Sequence, residues 1–178
     1  MPPRFTRRRT SRIAAVTILA VLGFAGTAAA VLSLSAGGAQ VRMDNRGETA
    51  PSFTNSPAWV DLPGSAITVS VASGSRLINA RFTAESICRG ANTGVCAVRI
   101  VAVTPAGIIE LDPASGLDFA FDSDVPGAVD ADMAEAHAME RSRRLPQGTY
   151  SLRVQRAVTN NTVGFTVDDW HFAVETSA

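Results

Sequence analysis

The stretch from Ile67 to Glu85, ITVSVASGSRLINARFTAE, decides the fold class of this chain. Its large apolar residues recur at every second position on either side of Ser73-Gly74-Ser75. Strict alternation of apolar and polar residues predicts a β-strand with one buried face, and the small residues between the runs predict a turn. We therefore expect two strands here, one beginning near Ile67 and the other near Ile78.

The same alternation recurs toward the C terminus. It is clearest from Tyr150 to Val154, and shorter runs lie near Val98, Ile108 and Phe119. Short strands at this spacing, separated by turn residues, predict an all-β domain with the architecture of an antiparallel two-sheet β-sandwich. Jelly-roll and immunoglobulin-like connectivity fit the pattern equally well, so the strand order stays open.

The last predicted strand changes its apolar phase halfway along. Phe165 and Val167 occupy one parity, whereas Trp170 and Phe172 occupy the other. A shift of one residue moves every following side chain to the opposite face of a sheet. We therefore predict a β-bulge or a sharp bend at Asp168-Asp169.

The segment from Val129 to Arg144, VDADMAEAHAMERSRR, gives conflicting signals. Its content of Ala, Glu, Met and Arg favours a helix. Its only large apolar residues are Met133 and Met139, so a helix here would bury a thin stripe. A short helix and a loosely packed edge strand both remain open.

The N-terminal region, residues 1–36, carries an export signal or a membrane anchor. Five arginines precede Ile13, and the next 24 residues, Ile13 to Ala36, carry no charge. As a helix this run would be about 36 Å long, enough to cross a hydrocarbon core of about 30 Å. Small residues at Ala28-Ala29-Ala30 resemble a signal-peptidase site. A cleaved signal peptide and a retained transmembrane anchor both place the rest of the chain outside the cytoplasm.

The predicted domain organisation follows from the composition of the remaining chain. Residues 37–57 are rich in Gly, Pro, Ser, Thr and charge, which is typical of a flexible linker. Residues 58–178 would then form the β-sandwich domain.

The distribution of charge excludes one class of partner. The chain has 16 basic residues, all arginine, and 16 acidic ones. Because five of the arginines belong to the N-terminal region, the rest of the chain is mildly acidic. Nucleic-acid binding depends on clustered cationic side chains, so we expect no nucleic-acid partner.

Cys88 and Cys96 are the only cysteines, and two glycines lie between them. Outside the cytoplasm a pair at this spacing predicts a structural disulfide. A loop of about nine residues closed in this way stabilises the fold by roughly 2.5 kcal/mol in the chain-entropy model. Redox and zinc chemistry are disfavoured because the chain has no C-x-x-C spacing and no second ligand pair.

Four carboxylates, those of Asp122, Asp124, Asp130 and Asp132, form the candidate metal site. Ca²⁺ takes six to eight oxygen ligands from flexible loops, so this stretch is a candidate calcium loop. It departs from the EF-hand pattern at Pro126, which replaces a ligand. The alternative interpretation is a solvated acidic loop between strands.

A second polar group, Asp168, Asp169 and His171, flanks Trp170. A carboxylate and imidazole pair can serve a hydrolase, but the chain has neither a G-x-S-x-G nor an H-E-x-x-H motif. Strand alternation also predicts that Asp169 and His171 face away from Trp170.

His137 is the other histidine of the chain. We expect an exposed side chain with no required role, because Glu135 and Glu140 alone are weak support for a metal site.

The segment from Leu145 to Val154, LPQGTYSLRV, is similar to the turn and strand of many extracellular β-sandwich domains. In those domains a tyrosine near the start of a strand bonds back to the upstream backbone. The similarity predicts the same bond for Tyr150 and implies no ligand.

A wider resemblance covers most of the chain after residue 57. Its motifs are F-x-A-E-S-x-C at Phe82 to Cys88, C-x-V-R-I at Cys96 to Ile100, F-D-S at Phe121 to Ser123, and D-D-W-H-F at Asp168 to Phe172. They resemble uncharacterised exported or membrane-anchored bacterial proteins with a single β-sandwich domain. The resemblance implies the fold and export, and it implies no activity.

These observations favour an exported, non-enzymatic module for protein interaction or cell-envelope structure, whose partner is another protein or a second copy. Carbohydrate binding is disfavoured because two tryptophans and one tyrosine are few, and each has a plausible core position. No cofactor is expected apart from the candidate Ca²⁺. The alternatives are a calcium-stabilised adhesion domain and a hydrolase that assembles Asp122, Asp124, Asp168, Asp169 and His171 across loops.

Overall fold

The described residues of the computed structural model are 32–37, 41–114, 119–124 and 133–177. Within these ranges the chain forms ten β-strands and no helix, so the predicted all-β class is confirmed. The strands are β1 (Leu32–Gly37), β2 (Val41–Glu48), β3 (Ser52–Thr54), β4 (Val60–Asp61), β5 (Ile67–Gly90), β6 (Gly94–Thr104), β7 (Gly107–Glu110), β8 (Asp122–Asp124), β9 (Glu135–Val158) and β10 (Val163–Ser177).

All ten strands belong to one sheet. Its order is β1-β2-β10-β5-β9-β6-β7, with β3 paired to β10, β4 to β9 and β8 to β6. Every strand pair is antiparallel, as predicted. The centre of the sheet is the ladder between β5 and β9, which runs from Ile67 opposite Leu152 to Ser86 opposite Glu135.

The two strands predicted between Ile67 and Glu85 are joined into the single strand β5, which is 24 residues long. Its pairing with β9 shifts register between Val71 and Ser75, where Gly74 has a φ of +65°. Glycine adopts this left-handed conformation without a steric penalty. The small residues between the two runs therefore produce an irregularity within one strand instead of a turn between two strands.

The ambiguous segment before Arg144 is extended from Glu135 onward, so the helix alternative is wrong for these residues. Its strand pairs with β5 on one side, and an isolated bridge from Ser142 to Asp112 lies on the other. Met139 and Arg141 are buried at alternate positions. Pairing with a long neighbouring strand thus outweighs the helix propensity of the individual residues.

The predicted linker, residues 37–57, contains two strands of the sheet. β2 pairs with β10 from Val41 opposite Ser177 to Glu48 opposite Trp170, and β3 pairs with β10 at Phe165 to Val167. The linker prediction is therefore wrong for residues 41–48 and 52–54. It failed because β2 carries Arg42, Asp44, Arg46 and Glu48 at alternate positions where a strand over a core would carry apolar residues.

The predicted N-terminal signal or anchor helix lies mostly outside the described residues. Residues 32–36 are described, and they belong to β1, which pairs with β2 from Leu32 opposite Gly47 to Gly37 opposite Arg42. The end of the predicted segment is thus extended. In the described part of the chain, no helix is long and apolar enough to span a bilayer.

The core is formed by the inward side chains of β5, β6, β9 and β10. Phe82, Phe165 and Phe172 are among the largest fully buried side chains. Phe121, which precedes β8, lies 5.6 Å from Phe82 and 6.4 Å from Phe165 between ring centroids. This aromatic cluster joins the segment before β8 to β5 and β10, and neither of these strands pairs with β8.

The predicted bulge in the last strand is present. The register of β10 against β5 shifts between Asp168 and His171, and Asp169 has a φ of +42°. Phe165, Val167, Trp170 and Phe172 are all buried on the same side as a result. The bulge therefore places the apolar residues before it and after it on the same face of the sheet.

The bond predicted for Tyr150 is also present. Its hydroxyl donates a hydrogen bond of 2.8 Å to the backbone oxygen of Pro146. The tyrosine ring lies directly over Gly148, where an added Cβ would meet the hydroxyl oxygen at 3.1 Å. The predicted turn is absent, because β9 continues unbroken through Pro146 to Tyr150, and the bond holds this part of the strand.

Replacing Tyr150 by Phe tests the hydrogen bond to Pro146, because the substitution removes the hydroxyl and keeps the buried ring. We expect the free energy of unfolding to fall by about 1 kcal/mol, the usual cost of one intramolecular hydrogen bond. Urea denaturation at an unchanged slope would measure it. Thr149→Val, at an exposed position beside it, is the control, and equal stability of the two variants would contradict the assignment.

Candidate functional site

The two predicted disulfide residues are bonded. Cys88 at the end of β5 and Cys96 at the start of β6 form a disulfide with their Cα atoms 5.9 Å apart. Because β5 and β6 are separated by β9 in the sheet order, the bond joins strands that the backbone does not pair. Both cysteines are buried, so the disulfide belongs to the core.

The predicted metal ligands are only partly described. Asp122 accepts hydrogen bonds of 2.7 Å from the Ser86 hydroxyl and from the backbone N–H of Ser123. Asp124 is 1% exposed, and its Oδ2 atom has no hydrogen-bond partner among the described residues. Asp130 and Asp132 lie outside the described residues. Within the described ranges, no three His, Cys, Asp or Glu side chains are grouped so as to hold a metal ion.

His137 is less exposed than the sequence suggested. Its ring centroid lies 5.4 Å from that of Phe121, and Nε2 lies 3.5 Å from a Glu135 oxygen and 3.9 Å from an Asp122 oxygen. Nε2 is buried and makes no hydrogen bond to any of the described residues. Because His137 lies in a strand, its side chain faces Asp122 of β8. A helix at this position would not have predicted the contact.

The residues around Trp170 occupy two faces, as predicted. Trp170 is 2% exposed and belongs to the core, whereas Asp169 and His171 are exposed. His171 aligns with Gly47 of β2 and Thr83 of β5. Asp122, by contrast, contacts Ser86 beside the core. In the described part of the chain, no hydrogen bond or ion pair connects His171 to any of the acids named for a hydrolase.

A larger feature lies on the side of β2, β10, β5 and β9 that faces away from the core, which we term the outer face. The strand register sets its side chains in rows. One row is Met43, Glu175, Asn79 and Ser142, and the next is Asn45, Ala173, Arg81 and Glu140. Each row crosses four strands that are far apart in the sequence.

A recess of about 320 Å³ opens in the outer face. It is lined by Leu77, Asn79, Glu140, Ser142, Glu175 and Ser177. Leu77 is 39% exposed, which is high for a leucine in the middle of a long strand. The recess thus combines one apolar side chain with hydroxyl, amide and carboxylate groups.

Glu140 is the most strongly bonded acid of the recess. It accepts a hydrogen bond of 2.8 Å from the Asn79 amide, and the Arg81 guanidinium lies 3.3 Å from its second oxygen. The hydrogen bond from Asn79 is the main cause that lowers the pKa of Glu140, and Arg81 lowers it further. Glu140 is therefore ionised at neutral pH and its charge is balanced locally.

Two other charges of the outer face lie beside the recess and are not balanced. Glu175 lines the recess, and Arg144 lies opposite Leu77 in the ladder between β5 and β9. Among the described residues, neither side chain takes part in an ion pair or a side-chain hydrogen bond. Glu85 is likewise exposed and unbonded on this face of β5, but it lies six residues beyond Asn79. Beside the recess, one acidic and one basic group are thus available to a partner.

The opposite half of the sheet is covered by its own side chains. The Arg99 guanidinium lies 4.4 Å from the Trp59 ring centroid, donates 2.9 Å to the Gln155 amide oxygen and lies 3.3 Å from Glu110. The Gln155 amide in turn donates 2.7 Å to Asp61. We term these five residues the polar network. Its members satisfy one another, which distinguishes this surface from the outer face.

Sequence reasoning named Glu140 only as a weak metal ligand and did not identify the recess. The available signal was the parity of β5, since Leu77 and Asn79 fall on its polar side. The other half of the recess comes from β9, whose conformation the sequence left open. The recess therefore depends on a register that only the folded sheet supplies.

Comparison with known proteins gives no guide to this site. No protein-family model, curated protein or solved structure matches the chain. The function is therefore argued from the residues of the site itself.

The bonds to Glu140 predict how stability depends on pH. Because its pKa is lower in the folded chain, the bonds stabilise the fold above the ordinary pKa of about 4.5 and lose this effect as the pH falls through the lowered value. We expect Glu140→Gln to reduce the melting temperature at pH 7 and to leave it nearly unchanged at pH 3. Glu85→Gln is the control, because Glu85 is exposed on the same face of β5 and takes part in no hydrogen bond or ion pair among the described residues. An equal loss at both pH values would contradict the assignment.

Proposed function

We propose that this chain is an exported, non-enzymatic domain that binds another protein through its outer face. The observation that carries the proposal is the recess with Leu77 exposed in its wall. Several exposed apolar side chains that lie together and are rimmed by polar groups are typical of an interaction surface.

Further apolar exposure supports binding at this face. Val41 and Met43 of β2 are 43% and 40% exposed, and both lie on the same side of the sheet as Leu77. Exposed apolar groups gain free energy when a partner removes them from water, by roughly 25 cal/mol for each Å² buried. The three side chains together supply apolar contact area on the outer face.

The side chains of the outer face favour a protein over a carbohydrate as the partner. Sugar-binding surfaces use exposed aromatic rings, and none of the described residues that line the recess is aromatic. Phe53 is 64% exposed, but it lies on β3 opposite Thr166, away from the recess. The aliphatic, hydroxyl, amide and charged groups of the recess match the surface of a folded protein.

Two features support export. The first is the arginine cluster followed by the uncharged run that ends at Ala36, the pattern of a signal peptide or anchor. The second is the disulfide between Cys88 and Cys96, a bond that persists in oxidising compartments outside the cytoplasm. Both support a location outside the cytoplasm, secreted or at the membrane.

The same proposal includes a two-layer arrangement of the sheet. Long strands such as β5 and β9 bend, so that one half of the sheet packs over the other as in a β-sandwich. The contacts of Phe121 with Phe82 and Phe165 and the disulfide support this arrangement, because each joins strands that are not paired. The outer face would then be the solvent side of one layer.

Site-specific photo-crosslinking tests the proposed function. A photoreactive amino acid at Leu77 or Met43 of the full chain, in the cells that express it, should give a crosslinked protein adduct. The same amino acid at Ile108, which is 54% exposed on β7, is the control and should give none. Absence of an adduct from both outer-face positions would overturn the proposal.

Calcium-stabilised adhesion is the second candidate, and one observation favours it. Asp124 is almost completely buried, and no described residue donates a hydrogen bond to its Oδ2 atom. A buried carboxylate oxygen without a partner is costly, and a bound cation would satisfy it. Asp122 is two residues away, and Asp130 and Asp132 would supply further oxygens from outside the described residues.

Thermal unfolding with and without Ca²⁺ tests this second candidate. If the site exists, millimolar Ca²⁺ should raise the melting temperature, because a ligand at about 100 times its Kd stabilises a fold by about 2.7 kcal/mol. The double variant Asp124→Asn, Asp130→Asn should lose the shift, and Mg²⁺ at the same concentration should not reproduce it. An unchanged melting temperature would leave the acidic stretch as a solvated loop.

A further inference from the structure

We propose that the protein bound at the outer face is a second copy of this chain, which forms a two-fold dimer with the outer faces packed together. This inference rests on the proposed function and names its partner. Three observations carry it: the pair of unbalanced charges, the position of Leu77 between them, and the size of the face.

The two unbalanced charges are complementary to those of a second copy. Glu175 lies on β10 opposite Asn79, and Arg144 lies on β9 opposite Leu77. In a two-fold contact, residue i of one copy meets residue j of the other, and j meets i. A single two-fold axis therefore forms two ion pairs, each between Glu175 of one copy and Arg144 of the other.

The strand register gives the position of this axis. With strands about 4.8 Å apart and alternate residues about 6.8 Å apart along a strand, Glu175 and Arg144 lie about 12 Å from each other in the plane of the sheet. The midpoint between them falls on β5 between Leu77 and Asn79. A two-fold axis through this midpoint, parallel to both sheets and perpendicular to the line between the two charges, places Glu175 of one copy over Arg144 of the other. The strands of the two copies then cross at a steep angle, close to the orthogonal class of sheet packing.

The same axis explains the exposure of Leu77. Rotation by 180° about this axis places Leu77 of each copy over the gap between Glu175 and Ser177 of the other copy. Both of these residues line the recess of about 320 Å³. The exposed leucine of each copy therefore fills the recess of the other, and small neighbours such as Ala173 and Ser142 leave room for this approach.

The size of the face sets the strength of the contact. Four strands over about nine residues cover roughly 500 Å² in projection on each copy. Specific interfaces bury about 800 Å² on each partner, and weaker ones bury less. We therefore expect a dimer with a micromolar dissociation constant.

Sedimentation equilibrium of the full chain, purified from the cell fraction in which it accumulates, tests the inference. The expected result is a monomer–dimer equilibrium in the micromolar range. Leu77→Asp should raise the dissociation constant at least about 10-fold, because it buries an unpaired charge at the centre of the contact. Ile108→Asp, which removes an exposed apolar residue from β7, should leave it unchanged.

A charge exchange tests the register itself. Glu175→Arg and Arg144→Glu should each weaken the dimer about 10-fold, because each places like charges opposite one another twice. The double variant should restore the dissociation constant of the original chain, and this recovery also shows that the substitutions do not damage the fold. Failure of the double variant to recover, or a dimer insensitive to Leu77→Asp, would overturn the inference.

A chain that stays monomeric at all concentrations would also overturn it. The photo-crosslinking result then separates the two proposals. Adducts of Leu77 with a different protein would leave the proposed function intact with another partner. A monomeric chain without adducts would remove both proposals.

Discussion

The ladder between β5 and β9 is the constraint on which the rest of the structure depends. Each strand has 24 residues, and their pairing spans most of both lengths. β10 pairs with the outer edge of β5 and β6 pairs with the later half of β9, so every other strand is attached through these two. Within this ladder, β5 accommodates an irregularity at Gly74, and the Tyr150 hydroxyl is bonded to the backbone of Pro146 in β9. The outer face exists because this ladder places Leu77, Asn79, Ser142 and Arg144 side by side.

The side chains on the solvent side are hydrogen-bonded to one another in the polar network but less so on the outer face. The proposed function follows from this difference. In the polar network, Gln155 uses both its amide oxygen and its amide nitrogen, and Arg99 is shared between a ring, an amide and a carboxylate. A surface whose groups already satisfy one another gains little from a partner. On the outer face, Glu140 is satisfied in this way by Asn79 and Arg81, and the Ser177 hydroxyl donates to the backbone oxygen of Leu77. The remaining apolar and charged groups keep free energy available for binding.

Sequence periodicity predicted the parts of the fold in which a strand buries apolar residues at every second position. It therefore identified the strands around Phe82 and Tyr150 and the bulge at Asp169. It missed β2, because the inward residues of that strand are polar, and it left β9 open because its first half is built from good helix formers. The candidate site could not be predicted from periodicity. Whether Glu175 and Arg144 lack partners depends on the alignment of strands more than 30 residues apart, which local pattern does not encode.

Arg156 shows why β3, which lies in the segment predicted to be a linker, is part of the domain. Its guanidinium is buried, and burial lowers its pKa to about 10. It donates to the backbone oxygen and, at 3.0 Å, to the hydroxyl of Ser52 in β3. A buried cation is costly unless its hydrogen bonds are made, so the stability of β9 in this position depends on β3 staying in place. The pairing of β3 with β10 and the bonds to Arg156 reinforce each other. A short polar segment is thereby fixed against the core by a charge that the core could not otherwise hold.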